Sequence, residues 1–279
     1  MPNPTTIALV LLTLLALAAS FLAFAALRRG DARPGLVKAQ HSLTGVCIVG
    51  AALLFLYRAW FENKGWQPLG AHVDGLLLIA PLFAAAAMFV QRAGMRGLSV
   101  FALPLLTLLL AWAICASVWT YAPFAPDTMW LAIHKATVYG GTIFFCIAAA
   151  AGALYLYAQR RLRQHRNTLE TSTGGGLASL EATEQMIVRT ATIGFALITV
   201  GLITGLVIFT DAEHASLGVG WWYAPKMVLA TAAWLAYAVL MNIRFATAFR
   251  GKRAAWLSIV GLALLIATFG AVSAMEARP

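Results

Sequence analysis

The segment WLAIHKATVYGGTIFFCIAAAAGALYLYAQRRLR, residues 130–163, decides the fold. Its apolar run from 130 to 158 exceeds the roughly 20 residues an α-helix needs to cross a bilayer, and it stops at Arg160, Arg161 and Arg163. Similar runs recur near residues 6 to 27, 39 to 60, 74 to 91, 98 to 118, 186 to 210, 225 to 245 and 254 to 274. The chain of 279 residues therefore reads as all-α, a polytopic membrane bundle of about eight transmembrane helices forming one domain, 1–279. Composition agrees: 61% of the residues are hydrophobic and 11% charged, where a soluble domain carries about a quarter charged, so a water-soluble globule is excluded.

The net charge of +10 raises a polyanion as partner, but that would require the basic residues to gather in a patch. Instead, 15 of the 20 lie in or beside alternate connections. These are Arg28, Arg29, Arg33 and Lys38; Arg92 and Arg96; Arg160, Arg161, Arg163 and Arg166, with Arg189 nearby; and Arg244, Arg250, Lys252 and Arg253. The positive-inside rule puts those connections in the cytoplasm. The remaining ones hold Lys64 as their interior basic residue and collect Glu62, Trp66, Trp119, Tyr121, Asp127, Asp211 and Glu213, so they face outside. The expected location is a bacterial cytoplasmic (inner) membrane, with both termini outside, the lipid bilayer as surroundings and no nucleic acid partner. Met1 to Thr6 lacks a basic n-region and the first charges follow the apolar run, which marks a retained span rather than a signal peptide.

Two connections have distinct character. Residues 159–185 are basic, then Gly-rich at Gly174 to Gly176, then acidic and helix-friendly, which predicts a flexible cytoplasmic loop with a short helical lead into the sixth span. Residues 211–226 form an outer tryptophan-rich loop. In the sixth span Gly201 and Gly205 make a G-x-x-x-G pair that permits close helix approach. Cys47, Cys115 and Cys146 all fall in predicted spans without a CxxC or CxxCH motif, so they read as buried packing residues.

Ionisable groups in a span are costly, about 2.5–3.5 kcal/mol at a helix centre on insertion scales, so they mark candidate sites. Here they gather on the outer side. His134 and Lys135 lie in the first turns of the fifth span, and Lys226 lies at the same depth in the seventh, after Trp221, Trp222, Tyr223 and the helix-starting Pro225. Arg58 and Trp60 close the second span, while His72 and His214 lie in outer connections. Imidazole, cations and an aromatic wall suit a flat, apolar, dianionic ligand; haem fits, with imidazole on iron and cations on the propionates. The plainer reading is an interfacial aromatic belt with snorkelling cations, and it accounts for Trp60, Trp66, Trp119 and Trp130 with no ligand.

Five segments carry a family resemblance: GWQPLGAHVDGLLLI (65–79, with Asp74 in an acidic slot), WLAIHKATVYGGTIFF (130–145), SLEATEQMIVRTATIGFALITVGLITG (179–205), GWWYAPKMVLATAAWLAYAVL (220–240) and GKRAAWLSIVG (251–261). In that order they resemble the CcsA/HemX-like cytochrome c assembly family, membrane proteins of haem handling with an outward-facing tryptophan-rich loop. The resemblance implies a non-covalent haem b, with His134 on the family's outer iron-ligating histidine. It also implies other membrane subunits of a cytochrome c assembly system as partners, and apocytochrome c indirectly. The chain would be a component of a haem lyase system rather than a self-sufficient enzyme, and no residue is assigned a catalytic role. Departures are specific: Ala224 stands where the family has Asp before Pro-Lys, Asn242 stands where it has a histidine, and the histidines it has in the first span and beyond the last are missing too, so that of its haem-ligating histidines His134 alone remains.

Three ligation states follow: His134 with His214 or His72 as second ligand, His134 alone, or a scaffold without haem. The function expected is to bind or present haem at the outer (periplasmic) side for attachment to apocytochrome c. The alternative is a haem-free anchor or assembly subunit of a respiratory complex. A dihaem cytochrome b needs facing histidine pairs, which the spans lack, and a transporter needs helices broken near the midplane, for which Pro81 and Pro104 are the candidates. A C-terminal reporter should be active outside the cytoplasm; a cytoplasmic signal would reverse the topology.

Overall fold

The computed structural model describes residues 3–28, 34–62, 69, 71–118, 129–164, 177–210, 225–242 and 251–276. Among these residues the regular structure is helical: α1 Pro4–Arg28, α2 Pro34–Tyr57, a π-helical turn Arg58–Glu62, α3 His72–Arg92, α4 Ser99–Val118, α5 Met129–Gln164, α6 Leu180–Thr210, α7 Pro225–Met241 and α8 Lys252–Glu276. Proline opens α1, α2 and α7, where its missing N–H costs nothing and its fixed φ suits the first turn. In lipid every backbone N–H and C=O must pair internally, which a helix achieves within itself. Hydroxyls in the spans follow the same rule: Thr13, Ser20, Thr44, Thr142 and Thr199 each donate to the carbonyl four residues back.

Among the described residues seven of the helices are long and apolar enough to cross a membrane, and the apolar part of α7 described is the shorter Met227–Met241. The protein is a multi-pass membrane helix bundle. Helix α5 forms its axis. It packs against α6, α8, α3 and α4, whereas α1 packs on α2 and α4, and α7 on α8 and α6. Accordingly 72% of the apolar window of α5 is buried, against 28% for α6. The large exposed side chains, among them Phe21, Leu53, Phe89 and Leu108, are apolar and clothe a surface suited to lipid.

Small residues set the helix spacing. A Cβ on Gly152 of α5 would collide with Ser258 Oγ and lie 2.8 Å from the Ala255 carbonyl oxygen of α8. One on Gly194 of α6 would lie 2.6 Å from the Phe145 ring, and one on Gly261 of α8 would lie 2.7 Å from the Tyr237 ring. Phe145 and Tyr237 stack at a centroid separation of 3.4 Å, and the buried Tyr237 hydroxyl donates to Ser258 O at 3.3 Å.

Three sequence expectations change in detail. Helix α5 continues to Gln164, carrying Arg160, Arg161 and Arg163 on its last turns, where the pattern placed a loop from 159. The helical lead at Leu180 is present. Helices α3 and α4 run unbroken through Pro81 and Pro104, so neither proline makes the interrupted span a transporter site uses. Cys47 and Cys146 are buried, but Cys115 is exposed on α4, because that helix is apolar all round and its outer face needs no polar residue.

Gly152→Ala should destabilise the bundle by about 1–3 kcal/mol, the usual cost of overpacking, because the new methyl meets backbone as well as a side chain. Gly45→Ala, with nothing within 4 Å of the new Cβ, should melt like the native protein in detergent.

Candidate functional site

Where α5 begins and α6 ends, the pair is shaped by the glycines of α6. A Cβ on Gly201 would stand 2.8 Å from Val138 Cγ2, and one on Gly205 would stand 3.0 Å from His134 Cε1. Their absence lets α5 approach closely enough for His134 Nδ1 to reach the Gly201 carbonyl oxygen at 2.8 Å. A carbonyl can only accept, so Nδ1 carries the proton and Nε2 of the neutral ring keeps its lone pair. Proteins commonly orient metal-ligating imidazoles through a hydrogen bond of this kind from the other ring nitrogen. The buried Thr204 hydroxyl also donates to Gly201 O, at 3.0 Å.

Beside the imidazole, Lys135 Nζ donates to Leu69 O at 2.8 Å, tying the start of α5 to the segment that enters α3. That segment ends in a buried charge cluster. Asp74, fully buried, accepts from Arg58 Nε at 2.7 Å through Oδ1 and from the Ala71 N–H at 2.9 Å through Oδ2. It therefore neutralises a guanidinium and caps α3 at once, its charge also complementing the helix N-terminus. Arg58 Nη1 pairs with Glu62 Oε2, four residues on, and Glu62 Oε1 accepts from the Thr5 hydroxyl of α1. The π-helical turn lies just where Arg58 and Glu62 are drawn together. The starts of α1 and α3 and the end of α2 are thus fastened by one network.

The structure brings His134 and the Gly201–Gly205 turn together at the α5–α6 seam, and turns Lys135 to Leu69 O at the entry to α3. It commits Arg58 to two carboxylates, Asp74 and Glu62. Lys226 occupies the second position of α7, but its side chain lies outside the described residues, as do Trp221, Trp222, Tyr223 and His214. His72 begins α3 and is half-buried. Trp60 and Trp130 are exposed, at 59% and 46%, as the interfacial belt requires. Among the described residues no group of three or more His, Cys, Asp or Glu converges on a point, so a metal ion held by protein side chains alone has no nest there. Sequence reasoning missed the Arg58–Asp74 pair and the acceptor role of Gly201; spacing alone shows neither, since the partners lie on different helices.

Fold and site together define a polytopic membrane protein with one oriented imidazole at the end of its central helix pair. Residues 69–276 match the family model described as cytochrome C assembly protein, and the chain belongs to that family. It is similar to the cytochrome c biogenesis protein CcsA of Synechococcus sp. (strain RCC307), 26% identical over 77% of this chain and 76% of the relative. The CcsA protein of Parasynechococcus marenigrum (strain WH8102) is 24% identical over 91% of this chain and 87% of its own length. A CcsA protein of Synechococcus sp. (strain CC9605) is 33% identical over a shorter stretch, 32% of this chain and 28% of its own. No solved structure matches the chain.

Arg58→Ala should cost about 3–5 kcal/mol of stability, because it strands the buried Asp74 carboxylate. Arg58→Met combined with Asp74→Leu should recover much of that loss in a detergent melt, since the fully buried carboxylate is then gone and the half-buried Glu62 keeps the Thr5 hydroxyl.

Proposed function

We propose that this protein acts in cytochrome c biogenesis in the bacterial inner membrane, holding haem at the outer end of the bundle for attachment to apocytochrome c. The observation that carries the reading is the His134 imidazole, fixed through Nδ1 to Gly201 O with its Nε2 lone pair uncommitted among the described residues. An imidazole oriented in this way suits an iron that arrives with a macrocycle supplying its other ligands, which fits a site without converging protein donors. Haem, when bound, supplies the iron and the vinyl carbons at which reduced CxxCH thiols of an apocytochrome are joined.

The chain's own residues bind and orient. His134 is the ligand, its ring fixed by the Gly201 carbonyl, which also accepts from Thr204, in the space that Gly205 leaves. Lys135 and Lys226 supply positive charge for propionates, and Trp221, Trp222 and Tyr223 cover the macrocycle. Arg58 enters as the residue that holds the outer ends of α1, α2 and α3, since its guanidinium is engaged by Asp74 and Glu62. His214 and His72 are the candidates for a second axial position. The chain's three cysteines lie within helices, without a CxxCH pattern, so the thiols belong to the apocytochrome. Other membrane subunits of the assembly system are the partners that would receive or complete this site.

Purified protein should carry haem detectable as a pyridine haemochrome, and His134→Ala should remove it without loss of membrane insertion. Gly205→Ala should weaken haem retention on its own, because its Cβ would press on His134 Cε1 from 3.0 Å. Haem content unchanged by His134→Ala would remove this ligand. A native protein without haem under reducing conditions would favour the haem-free assembly subunit.

A further inference from the structure

The opposite end of the bundle contains a second polar feature that the haem reading does not use. A cavity of about 540 Å³ opens where the end of α1, the start of α2, the end of α3, the start of α4 and the end of α5 meet. Its polar lining is Gln40, His41, Gln91, Ser99, Arg92, Arg96 and Arg161. Three arginines line one space, and among the described residues no carboxylate pairs with any of them. Nε2 of His41, also on the lining, is buried and has no hydrogen-bond partner among the described residues.

The arginines are displayed on a rigid frame. Arg92 ends α3 and Arg96 sits four residues on, in the turn to α4, which two left-handed glycines shape: Gly94 at φ 114° and Gly97 at φ 90°. Such φ values are strained for any residue with a Cβ. The turn is pinned by Met95 N–H to Val90 O at 3.2 Å and by Ala178 N–H to Arg96 O at 3.1 Å. Arg161 reaches the same space from the last turns of α5, which is why the extension of that helix past 158 matters.

The remaining wall is aliphatic: Leu27 of α1, Val37 of α2, Val100 of α4 and Leu177. Guanidinium groups are matched to phosphate, and basic pockets between transmembrane helices at the cytoplasmic face are where anionic lipid headgroups bind. The cavity is far larger than a lone phosphate requires, and its apolar wall suits the glycerol and first acyl carbons attached to one. A macrocycle fits it less well, because apart from His41 the lining has no aromatic surface and the His41 Nε2 is closed off.

We propose that this cavity binds the phosphate headgroup of an anionic phospholipid through Arg92, Arg96 and Arg161, anchoring the five helix ends that surround it. The site is independent of haem at the other end of the bundle. The shared chemistry is a phosphate, and the two sources, lipid headgroup and soluble phosphate, are separable.

The test is native mass spectrometry of full-length protein in mixed phosphatidylcholine and phosphatidylglycerol micelles, with soluble glycerol phosphate as competitor. The native protein should retain phosphatidylglycerol over phosphatidylcholine, and glycerol phosphate should not displace it. Each arginine near a charged leaflet contributes on the order of a fivefold change in affinity, so Arg92→Gln with Arg96→Gln should lower retention more than tenfold, and Arg161→Gln about fivefold. Arg160→Gln with Arg163→Gln removes two exposed charges outside the cavity and should leave retention unchanged. Circular dichroism melts confirm that each variant is folded. Undiminished retention in the Arg92/Arg96 variant overturns the proposal, as does an equal loss in the Arg160/Arg163 control, which would reduce the effect to surface charge. Full displacement by glycerol phosphate would assign the cavity to a soluble phosphate and overturn the lipid.

Discussion

The close approach of α5 and α6 is the contact on which the rest depends. Helices in a membrane gain little from hydrophobic association with one another, because lipid tails are as apolar as leucine; they associate where small residues let backbones touch. Gly141, Gly194, Gly201 and Gly205 supply that contact along the seam. The same lack of side chains at Gly201 and Gly205 opens the space into which His134 turns, and the Gly201 carbonyl then fixes the ring. One local property, the missing Cβ, thus sets both the axis of the bundle and the chemistry at its end.

The two ends of the bundle solve the problem of charge differently. Where α1 and α3 begin, Arg58 is buried against Asp74 and Glu62, and each carboxylate has a further donor, the Ala71 N–H for one and the Thr5 hydroxyl for the other. A buried ion pair of this kind is weak evidence for stability by itself, since desolvation offsets most of the attraction. Its value here is geometric, because it fastens three helix ends and gives the Ala71 N–H its acceptor. At the basic end Arg92 and Arg96 are exposed, at the end of α3 and in the turn that follows with its own backbone hydrogen bonds, and Arg161 is half-buried on the last turns of α5. One cluster is closed upon itself; the other is open toward a cavity.

Much of the architecture was legible in the residues. Apolar runs of spanning length located every helix, to within a few residues at most ends; α2 starts at Pro34 rather than 39, α6 at Leu180 rather than 186, where a helical lead was expected, and α5 continues from 158 to Gln164. That miss has a physical cause: Arg160, Arg161 and Arg163 are good helix formers once the helix emerges from the apolar layer, so charge marks the membrane boundary and not the helix boundary. His134 was visible as a polar residue in a span and through its family resemblance, as was Asp74 as an acidic position. Their partners were not, because 16 residues separate Arg58 from Asp74 and 67 separate His134 from Gly201.

The sequence by itself determined the class of protein: length and placement of apolar segments, the alternation of basic and aromatic connections, and family membership through ordered motifs. These are local or additive properties, set by transfer of each segment from water to lipid. Tertiary structure alone decided which polar groups meet. Arg58 changed from a cation expected to face a ligand into the centre of an ion-pair network, and Gly201 from a packing residue into a hydrogen-bond acceptor. It also drew Arg92, Arg96 and Arg161, read from the sequence as topology signals, around one cavity. Pairing of this kind depends on helix rotation and spacing, which glycine contacts between distant segments set and which no periodicity within one segment records.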